Sequence, residues 1–208
     1  LALAINRPPD YGSGDNRLGD TASARKRPAM RLLISLCNAN QYNSQFSLAV
    51  IDTSTEERWL VDCTAFLDFK HDSGITGLCR TPQGLAVAVQ SNKPRVVMLD
   101  AAFKVMWTAT HPALADVHSI NHHDGRLFVM SSGRNKVLEI DARTGAVDVF
   151  WDYEPSDTPL LHINSLAFLD GRPVACSHQI PAEAGHPSKT GGVWRLDDFE
   201  VLIGDLKA

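Results

Sequence analysis

The stretch "DVHSINHHDGRLFVMSSGRNKVLEID", residues 116–141, contains three short β-favouring runs separated by turn residues. Asp124 and Gly125 form an Asp-Gly pair between the first two runs. Such a pair favours the tight turn of a β-hairpin, because both central residues of that turn need a positive φ. The third run closes on Asp141 and leads into "ARTG", which suits another turn. The stretch therefore predicts consecutive antiparallel strands.

The same pattern recurs along the chain. Four β-rich runs each close on an aspartate: "SLAVID" (47–52), "RVVMLD" (95–100), "KVLEID" (136–141) and "GVWRLD" (192–197). The spacings are 48 residues from Asp52 to Asp100, 41 from Asp100 to Asp141 and 56 from Asp141 to Asp197. A period of about 40–50 residues is typical of propeller blades. No segment shows a capped helical period, so the sequence predicts an all-β protein, a β-propeller of four-stranded antiparallel blades.

The repeats divide into about four blades, at about 30–65, 74–110, 116–153 and 162–206. The first blade shows only three clear strands and lacks its innermost one. The segment "LALAI", residues 1–5, is the candidate for that strand. Otherwise the ring is incomplete, and missing sequence or a second copy of the chain would have to close it. Both a closed ring of four blades and an incomplete ring therefore stay open.

Residues 1–29 differ in composition from the rest of the chain. They are rich in Pro, Gly, Asp, Ser and Arg and show no hydrophobic period. Such a segment cannot bury enough apolar surface to offset the entropy lost on ordering. We therefore expect a disordered or extended leader at 1–29 and a propeller domain at 30–208.

The composition argues against two classes of partner. The chain has 208 residues and a net charge of −4, which gives no electrostatic attraction to nucleic acid or to an anionic membrane surface. Its longest apolar runs have the length of strands, and none is long enough to span a membrane. The four cysteines form no C-x-x-C pair, which favours buried free thiols, with one disulfide as the alternative. We expect a cytoplasmic protein.

Several segments resemble known propeller families. The repeat at 117–145 resembles an NHL-type repeat. The stretch "LLHINSLAFLDGRPVACSHQ" (160–179), followed by "GGVWRLDD" (191–198), resembles an uncharacterised bacterial propeller family. "INSLAF" (163–168) is similar to a motif of the gluconolactonase family, whose asparagine helps hold a divalent metal. That resemblance implies a metal-binding role for Asn164, although Ser165 replaces the family's glycine. His118 resembles a histidine of NHL-class amidating lyases.

Aligning the blades by their turn glycines predicts a ligand site. The alignment places Thr76, His118 and Asn164 at equivalent positions near the start of the innermost strands, where side chains line the channel mouth. Three further polar residues lie in the loops leading into the blades: His71, Asp116 and His162. The plainer alternative is that such residues bond channel water or the backbone of a neighbouring blade. His122 and His123 precede the Asp-Gly turn and are expected to face solvent.

Three functions are compatible with this pattern. The first is a binding module that takes a small molecule or a protein partner at the channel mouth. The second is a metal-dependent enzyme of the lactonase, hydrolase or lyase type, with His118 and Asn164 as candidate ligands of a divalent metal. The third is a fragment that closes its ring as a homo-oligomer. No nucleophile elbow, zincin motif or dinucleotide fingerprint is present, and the role of the long segment 177–192, which carries His178, stays open.

Overall fold

The computed structural model describes residues 2–5, 30–37, 47–153, 161–181 and 190–206. The strands, numbered along the chain, form four antiparallel sheets of four strands each. The first sheet contains β1 (Ala2–Ile5), β2 (Arg31–Ser35), β3 (Leu48–Asp52) and β4 (Arg58–Val61). The second contains β5 (Asp72–Arg80), β6 (Leu85–Ser91), β7 (Arg95–Leu99) and β8 (Val105–Ala109).

The third and fourth sheets repeat the same up-and-down order. The third contains β9 (Val117–His123), β10 (Arg126–Ser131), β11 (Lys136–Asp141) and β12 (Val147–Asp152). The fourth contains β13 (Ile163–Leu169), β14 (Arg172–Ser177), β15 (Gly191–Arg195) and β16 (Val201–Leu206). A 3-10 turn, Ser132–Arg134, connects β10 to β11 in the third sheet. The predicted all-β fold of four-stranded antiparallel blades is confirmed over the described residues.

The first sheet takes its innermost strand from the start of the chain. The backbone of Ala2–Ile5 pairs antiparallel with β2, from Ala2 opposite Ile34 to Ile5 opposite Arg31. This segment belongs to the predicted leader and is also the predicted candidate for the missing strand, and the structure places Ala2–Ile5 in the sheet. The rest of the predicted leader, residues 6–29, lies outside the described residues. The described part of the chain contains no helix long and apolar enough to cross a membrane.

The Asp-Gly pairs make the hairpin turns that the sequence predicts. Asp124 and Gly125 have φ values of 47° and 77°, and Asp170 and Gly171 have φ values of 52° and 75°. Two consecutive residues with positive φ match the type I′ turn, whose twist matches that of the strands on either side. A Cβ added to Gly125 or Gly171 would meet no atom within 4 Å, so their requirement is conformational rather than steric.

The aspartates that close the third strands hold the next turn. Asp52 Oδ1 accepts hydrogen bonds from Ser54 N at 2.9 Å and from the Ser54 hydroxyl at 2.5 Å. These bonds lower the pKa of Asp52 to about 2. Asp100 and Asp141 accept comparable backbone bonds two residues ahead. In the fourth blade Asp197 instead pairs with Arg172, and Asp198 caps the turn. The recurring aspartate is therefore a turn cap in the first three blades.

This cap predicts how the turn responds to substitution. Asp141→Ala removes the acceptor of the Arg143 and Thr144 backbone N–H groups, so we expect its Tm to fall by a few degrees. Asp141→Asn keeps an oxygen in the same place and should retain most of the Tm. Thermal unfolding followed by circular dichroism compares the two variants. Equal losses in both would show that the carboxylate charge, rather than its oxygen, holds the turn.

The sheets pack face to face in chain order and create three apolar cores. The first core joins blades one and two, the second joins blades two and three, and the third joins blades three and four. Along β6, Leu85, Val87 and Val89 face the first core, while Ala86 and Ala88 face the second. A strand buried on both faces reads as a continuous apolar run, which explains "LAVAV" at 85–89.

The two end sheets each leave one face open. Leu33, Val50 and Val61 of the first sheet are buried against blade two, whereas Leu60 is 53% exposed. In the fourth sheet, Trp194 is buried against blade three and Ile203 is 53% exposed. Side chains alternate between the two faces of a sheet, so each end presents apolar residues to solvent in the described part of the chain.

All four cysteines are free thiols. Cys63 and Cys79 are buried, and burial raises the pKa of Cys79 to about 11. Cys37 is exposed and Cys176 is half-buried, so the expectation that the cysteines are buried holds for only two of them. Cys37 lies beyond the end of β2, where an isolated bridge pairs it with Gly74.

Candidate functional site at one end of the inner strands

The candidate site is built on three equivalent positions that lie near the start of the inner strands of blades two, three and four. Gly74, Asp116 and His162 each lie two residues before Thr76, His118 and Asn164, respectively. All three have positive φ, at 124°, 48° and 49°. Blade two uses glycine there, whereas blades three and four place a carboxylate and an imidazole in a conformation that side chains usually avoid. Such strained positions often belong to functional sites.

Asp116, His118 and His162 come together at this end of the inner strands. One nitrogen or oxygen atom from each lies within 4.8 Å of the corresponding atoms of the other two, and all three residues are half-buried. The His118 Nε2 and Asp116 Oδ2 atoms are 3.3 Å apart. The His118 and His162 rings meet edge to face, with 4.7 Å between their centroids. The structure thus joins three residues of the sequence-derived site from two different blades.

His178 is a fourth member of the cluster and is not among the site residues predicted from the sequence. Its ring centroid lies 4.7 Å from that of His162, and its backbone N–H donates to the His162 carbonyl at 3.3 Å. The pairing of β13 with β14 carries His178 to this position, because Ile163 lies opposite Ser177. Counting outward from the Asp170–Gly171 turn would place His178 opposite Ile163, but the register shifts between Ile163 and Ser165 and moves His178 beside His162. The neighbouring residues 182–189 lie outside the described residues.

Gln90 of β6 positions the carboxylate of Asp116. Its Nε2 donates to Asp116 Oδ1 at 2.7 Å, while its Oε1 accepts the Val117 backbone N–H at 2.9 Å. Blade two therefore orients a side chain of blade three, and the second carboxylate oxygen is left to face His118. Gln90 belongs to no sequence motif that would have linked it to this site.

The protonation of His162 follows from its surroundings. Burial lowers the pKa of His162, and the charges that His118 and His178 carry when protonated lower it further, while Asp116 opposes both effects. His162 is therefore largely neutral at pH 7, because an ordinary histidine is already mostly neutral at that pH and the pKa of His162 is lower than the ordinary one. A neutral imidazole offers a lone pair as well as an N–H donor.

Thr76 and the other side chains between blades serve mainly to join the sheets. The Thr76 hydroxyl donates to the Val117 carbonyl at 2.6 Å, across from blade two to blade three. The Ser132 hydroxyl donates to the Ile163 carbonyl, and the Asn121 amide donates to the Leu166 carbonyl, from blade three to blade four. Thr76 thus follows the plainer alternative, a bond to the backbone of a neighbouring blade.

The remaining candidates lie beside the cluster or away from it. Asn164 is half-buried and lies two residues after His162. His71 is exposed and lines a separate pocket of about 420 Å³ together with Asp68, Asp72, Ser91 and Arg95. None of the four clustered residues lines that pocket.

His122 and His123 are both half-buried, so the expectation that they face solvent is wrong. The His123 ring stacks on Phe168 of blade four, with 3.9 Å between the centroids. The hairpin end of β9 lies against β13, and this contact between blades cannot be read from the Asp-Gly turn itself.

The left-handed backbone at His162 makes a testable prediction. We expect His162→Gly to stay within about 1 kcal/mol of the unchanged protein, because glycine adopts positive φ without a Cβ penalty. His162→Ala keeps that penalty and loses the ring contacts, so it should be less stable than the glycine variant by about 1 kcal/mol. Urea unfolding measures both. A glycine variant less stable than the alanine variant would show that His162 is not held in this conformation.

Comparisons with known proteins place the fold. No family model and no curated protein matches the chain. Among solved structures, the chain is similar to the Dos1 propeller with a TM-score of 0.51 and 14% identity, over 88% of this chain and 44% of that one. The Neurospora crassa Pan2 WD40 domain is similar with a TM-score of 0.47 and 13% identity, over 86% of this chain and 63% of that one. BamB from Moraxella catarrhalis is similar with a TM-score of 0.42 and 12% identity, over 84% of this chain and 48% of that one.

The chain spans less than half the length of the Dos1 propeller. At 14% identity this likeness speaks for the fold alone. The similarity to the Dos1 propeller agrees with the four stacked antiparallel sheets, and together they identify this chain as a β-propeller.

Proposed function

We propose that this β-propeller is a binding module for a small polar molecule, which it captures through Asp116, His118, His162 and His178. The observation that carries the proposal is that these polar side chains converge from two blades at one end of the inner strands. A rigid scaffold that presents convergent polar groups at one opening is the usual form of a ligand site. A protein partner at the same opening is the alternative. We also propose that the repeat at 117–145 is of the NHL type.

The chemistry of the cluster indicates what kind of molecule fits. Three imidazoles can each donate or accept hydrogen bonds, and the Asp116 carboxylate accepts only. Gln90 fixes that carboxylate, so its orientation is set before a ligand arrives. A preorganised site loses less entropy on binding. Hydroxyl, amino and carboxylate groups of a small ligand are therefore the expected contacts.

A screen for ligands tests the proposal. Purified protein is tested by thermal shift against small carboxylic acids, sugars and nucleosides, with a chelator present so that bound metal plays no part. We expect at least one compound to raise the Tm, and we expect this shift to disappear in His118→Ala and His162→Ala. His71→Ala is the matched control, because His71 lies in the separate pocket.

Two outcomes would overturn this assignment. If the rise in Tm persists in His118→Ala and His162→Ala but is lost in His71→Ala, the ligand binds in the pocket beside Arg95 and not at the cluster. A panel without any stabilising compound would count against small-molecule binding and favour the protein-partner alternative.

Assembly is a second candidate function, because the two end sheets expose apolar faces. Leu60 and Ile203 are each 53% exposed at opposite ends of the series of blades. A second copy of the chain could cover these faces in the way that blades two and three cover each other. Light scattering at several concentrations measures the mass in solution. A monomer at all of them would exclude ring completion by a second copy.

The enzyme alternative needs a metal as well as a binding site. Its supporting observation is the group of three potential ligand atoms from Asp116, His118 and His162. This set differs from the pair His118 and Asn164 that the sequence suggested. Lactone hydrolysis measured with and without added Zn²⁺ would test it, and turnover that is lost in His118→Ala would support the enzyme.

A further inference from the structure

We infer that Asp116, His118 and His162 form a binding site for one divalent transition metal of the Zn²⁺ type. The inference deepens the proposed function, since it uses the same opening, and it names the class of ligand. It rests on three donor atoms, from two imidazoles and one carboxylate, that lie within 4.8 Å of one another.

The distances suit a metal with short bonds. Zn²⁺ binds histidine nitrogen and carboxylate oxygen at about 2.0–2.2 Å, so neighbouring ligand atoms of a tetrahedral site lie roughly 3.4 Å apart. His118 Nε2 and Asp116 Oδ2 already stand 3.3 Å apart. Small rotations of the half-buried His162 ring would bring its nitrogen to a comparable distance. The two ring centroids are 4.7 Å apart, so one metal ion could reach a nitrogen of each ring.

The kinds of ligand select the class of metal. Ca²⁺ and Mg²⁺ take mainly oxygen ligands, usually several of them. Here two of the three donors are imidazoles, which suit Zn²⁺, Ni²⁺, Cu²⁺ or Fe²⁺. Three protein ligands leave one tetrahedral position for water or for an incoming molecule. The imidazole of His178 lies beside the three donors, with its centroid 4.7 Å from that of His162.

The residues behind the donors hold the site in place. Gln90 binds the other oxygen of Asp116 at 2.7 Å, which leaves Oδ2 for the metal. The same amide side chain also accepts the Val117 backbone N–H, so it ties the carboxylate to the strand that carries His118. Metal sites commonly depend on partners that orient their ligands in this way, and removing such a partner costs about 10- to 100-fold in affinity.

Calorimetry with Zn²⁺ alone tests the inference. The purified protein is freed of metal with EDTA, dialysed and titrated with ZnSO4. We expect one Zn²⁺ per chain with micromolar or tighter affinity. His118→Ala, His162→Ala and Asp116→Asn should each weaken binding by at least about 100-fold, and Gln90→Ala by about 10-fold. Asp116→Asn is chosen because asparagine also accepts the positive φ of this position. His71→Ala is the control and should bind Zn²⁺ like the unchanged protein.

Replacing Zn²⁺ with Co²⁺ gives a second readout, because a tetrahedral Co²⁺ site absorbs visible light strongly. Circular dichroism confirms that each variant is folded before its affinity is compared. The inference is overturned if millimolar Zn²⁺ does not bind saturably, or if binding persists in His118→Ala but is lost in His71→Ala. Since the ligand screen is run with chelator, a failure of Zn²⁺ binding alone leaves the small-molecule proposal standing.

Discussion

Replacing Trp194 with alanine is expected to lower the free energy of unfolding by about 3–5 kcal/mol. Trp194 lies on β15, is fully buried and packs in the core between blades three and four. Its ring lies 5.7 Å from that of Trp151 and 5.9 Å from that of Phe199. Its Nε1 donates to the Ser177 hydroxyl at 2.7 Å. The change therefore creates a large cavity and leaves a buried hydroxyl without its donor.

Trp59→Ala is the matched control for this prediction. Trp59 lies on the outer strand β4, is 39% exposed and has the Arg31 guanidinium 5.3 Å from its ring. Its loss should cost much less, about 1 kcal/mol, because it leaves no closed cavity. Urea unfolding gives both values. Similar losses at the two positions would mean that the interface between blades three and four is not packed as described.

The sequence was sufficient to predict the blades because their signals are local. Asp124–Gly125 and Asp170–Gly171 need only their own backbone preferences to turn the chain, and the structure shows positive φ at all four residues. The closing aspartates repeat because each caps a turn within its own blade, as Asp52 does through Ser54. The exception, Asp197, pairs with Arg172 across the sheet, a contact that no local pattern encodes.

The candidate site was predictable only in part, because it depends on contacts between blades. Aligning the turn glycines placed His118 near the start of an inner strand, with Asp116 and His162 in the loops leading into the blades, and the structure brings these three residues together. His178 was missed, because its position follows from the β13–β14 register, which shifts between Ile163 and Ser165. Gln90 was missed for a related reason. It acts from blade two on a residue 26 positions later in the chain.

A second large effect is expected at the buried ion pair of blade two. Arg95→Met should lower the free energy of unfolding by about 3–5 kcal/mol at pH 7, because it leaves a buried carboxylate without its partner. Asp72 is only 3% exposed, and Arg95 contacts both of its oxygens, at 2.9 Å and 2.5 Å. Arg95 also donates to the Phe66 carbonyl at 2.7 Å. The pair thus joins β5, β7 and the loop before β5.

The pH dependence of this loss provides the sharper test. Burial alone would raise the pKa of Asp72, but hydrogen bonds from Arg95 and from the Asp68 backbone N–H outweigh it and lower the pKa. A lowered folded-state pKa contributes stability above the unfolded value, which is lost as the pH falls through the folded value. Without Arg95, burial dominates and the folded-state pKa of Asp72 rises. The gap in stability between Arg95→Met and the unchanged protein should therefore narrow as the pH falls from the raised folded-state pKa of Asp72 in the variant, above the ordinary value of about 4, to its lowered pKa in the unchanged protein.

Two further variants separate the charge from the packing. Arg95→Met combined with Asp72→Asn removes both charges and keeps an acceptor for the Asp68 N–H, so it should recover much of the loss. Arg172→Ala breaks the exposed contacts with Asp197 and Asp198 and should change stability far less, because solvent screens those charges. Chemical denaturation between pH 3 and pH 8 measures all four proteins. A loss in Arg95→Met that does not change with pH would show that Arg95 acts through its contact with Phe66, and not through the charge of Asp72.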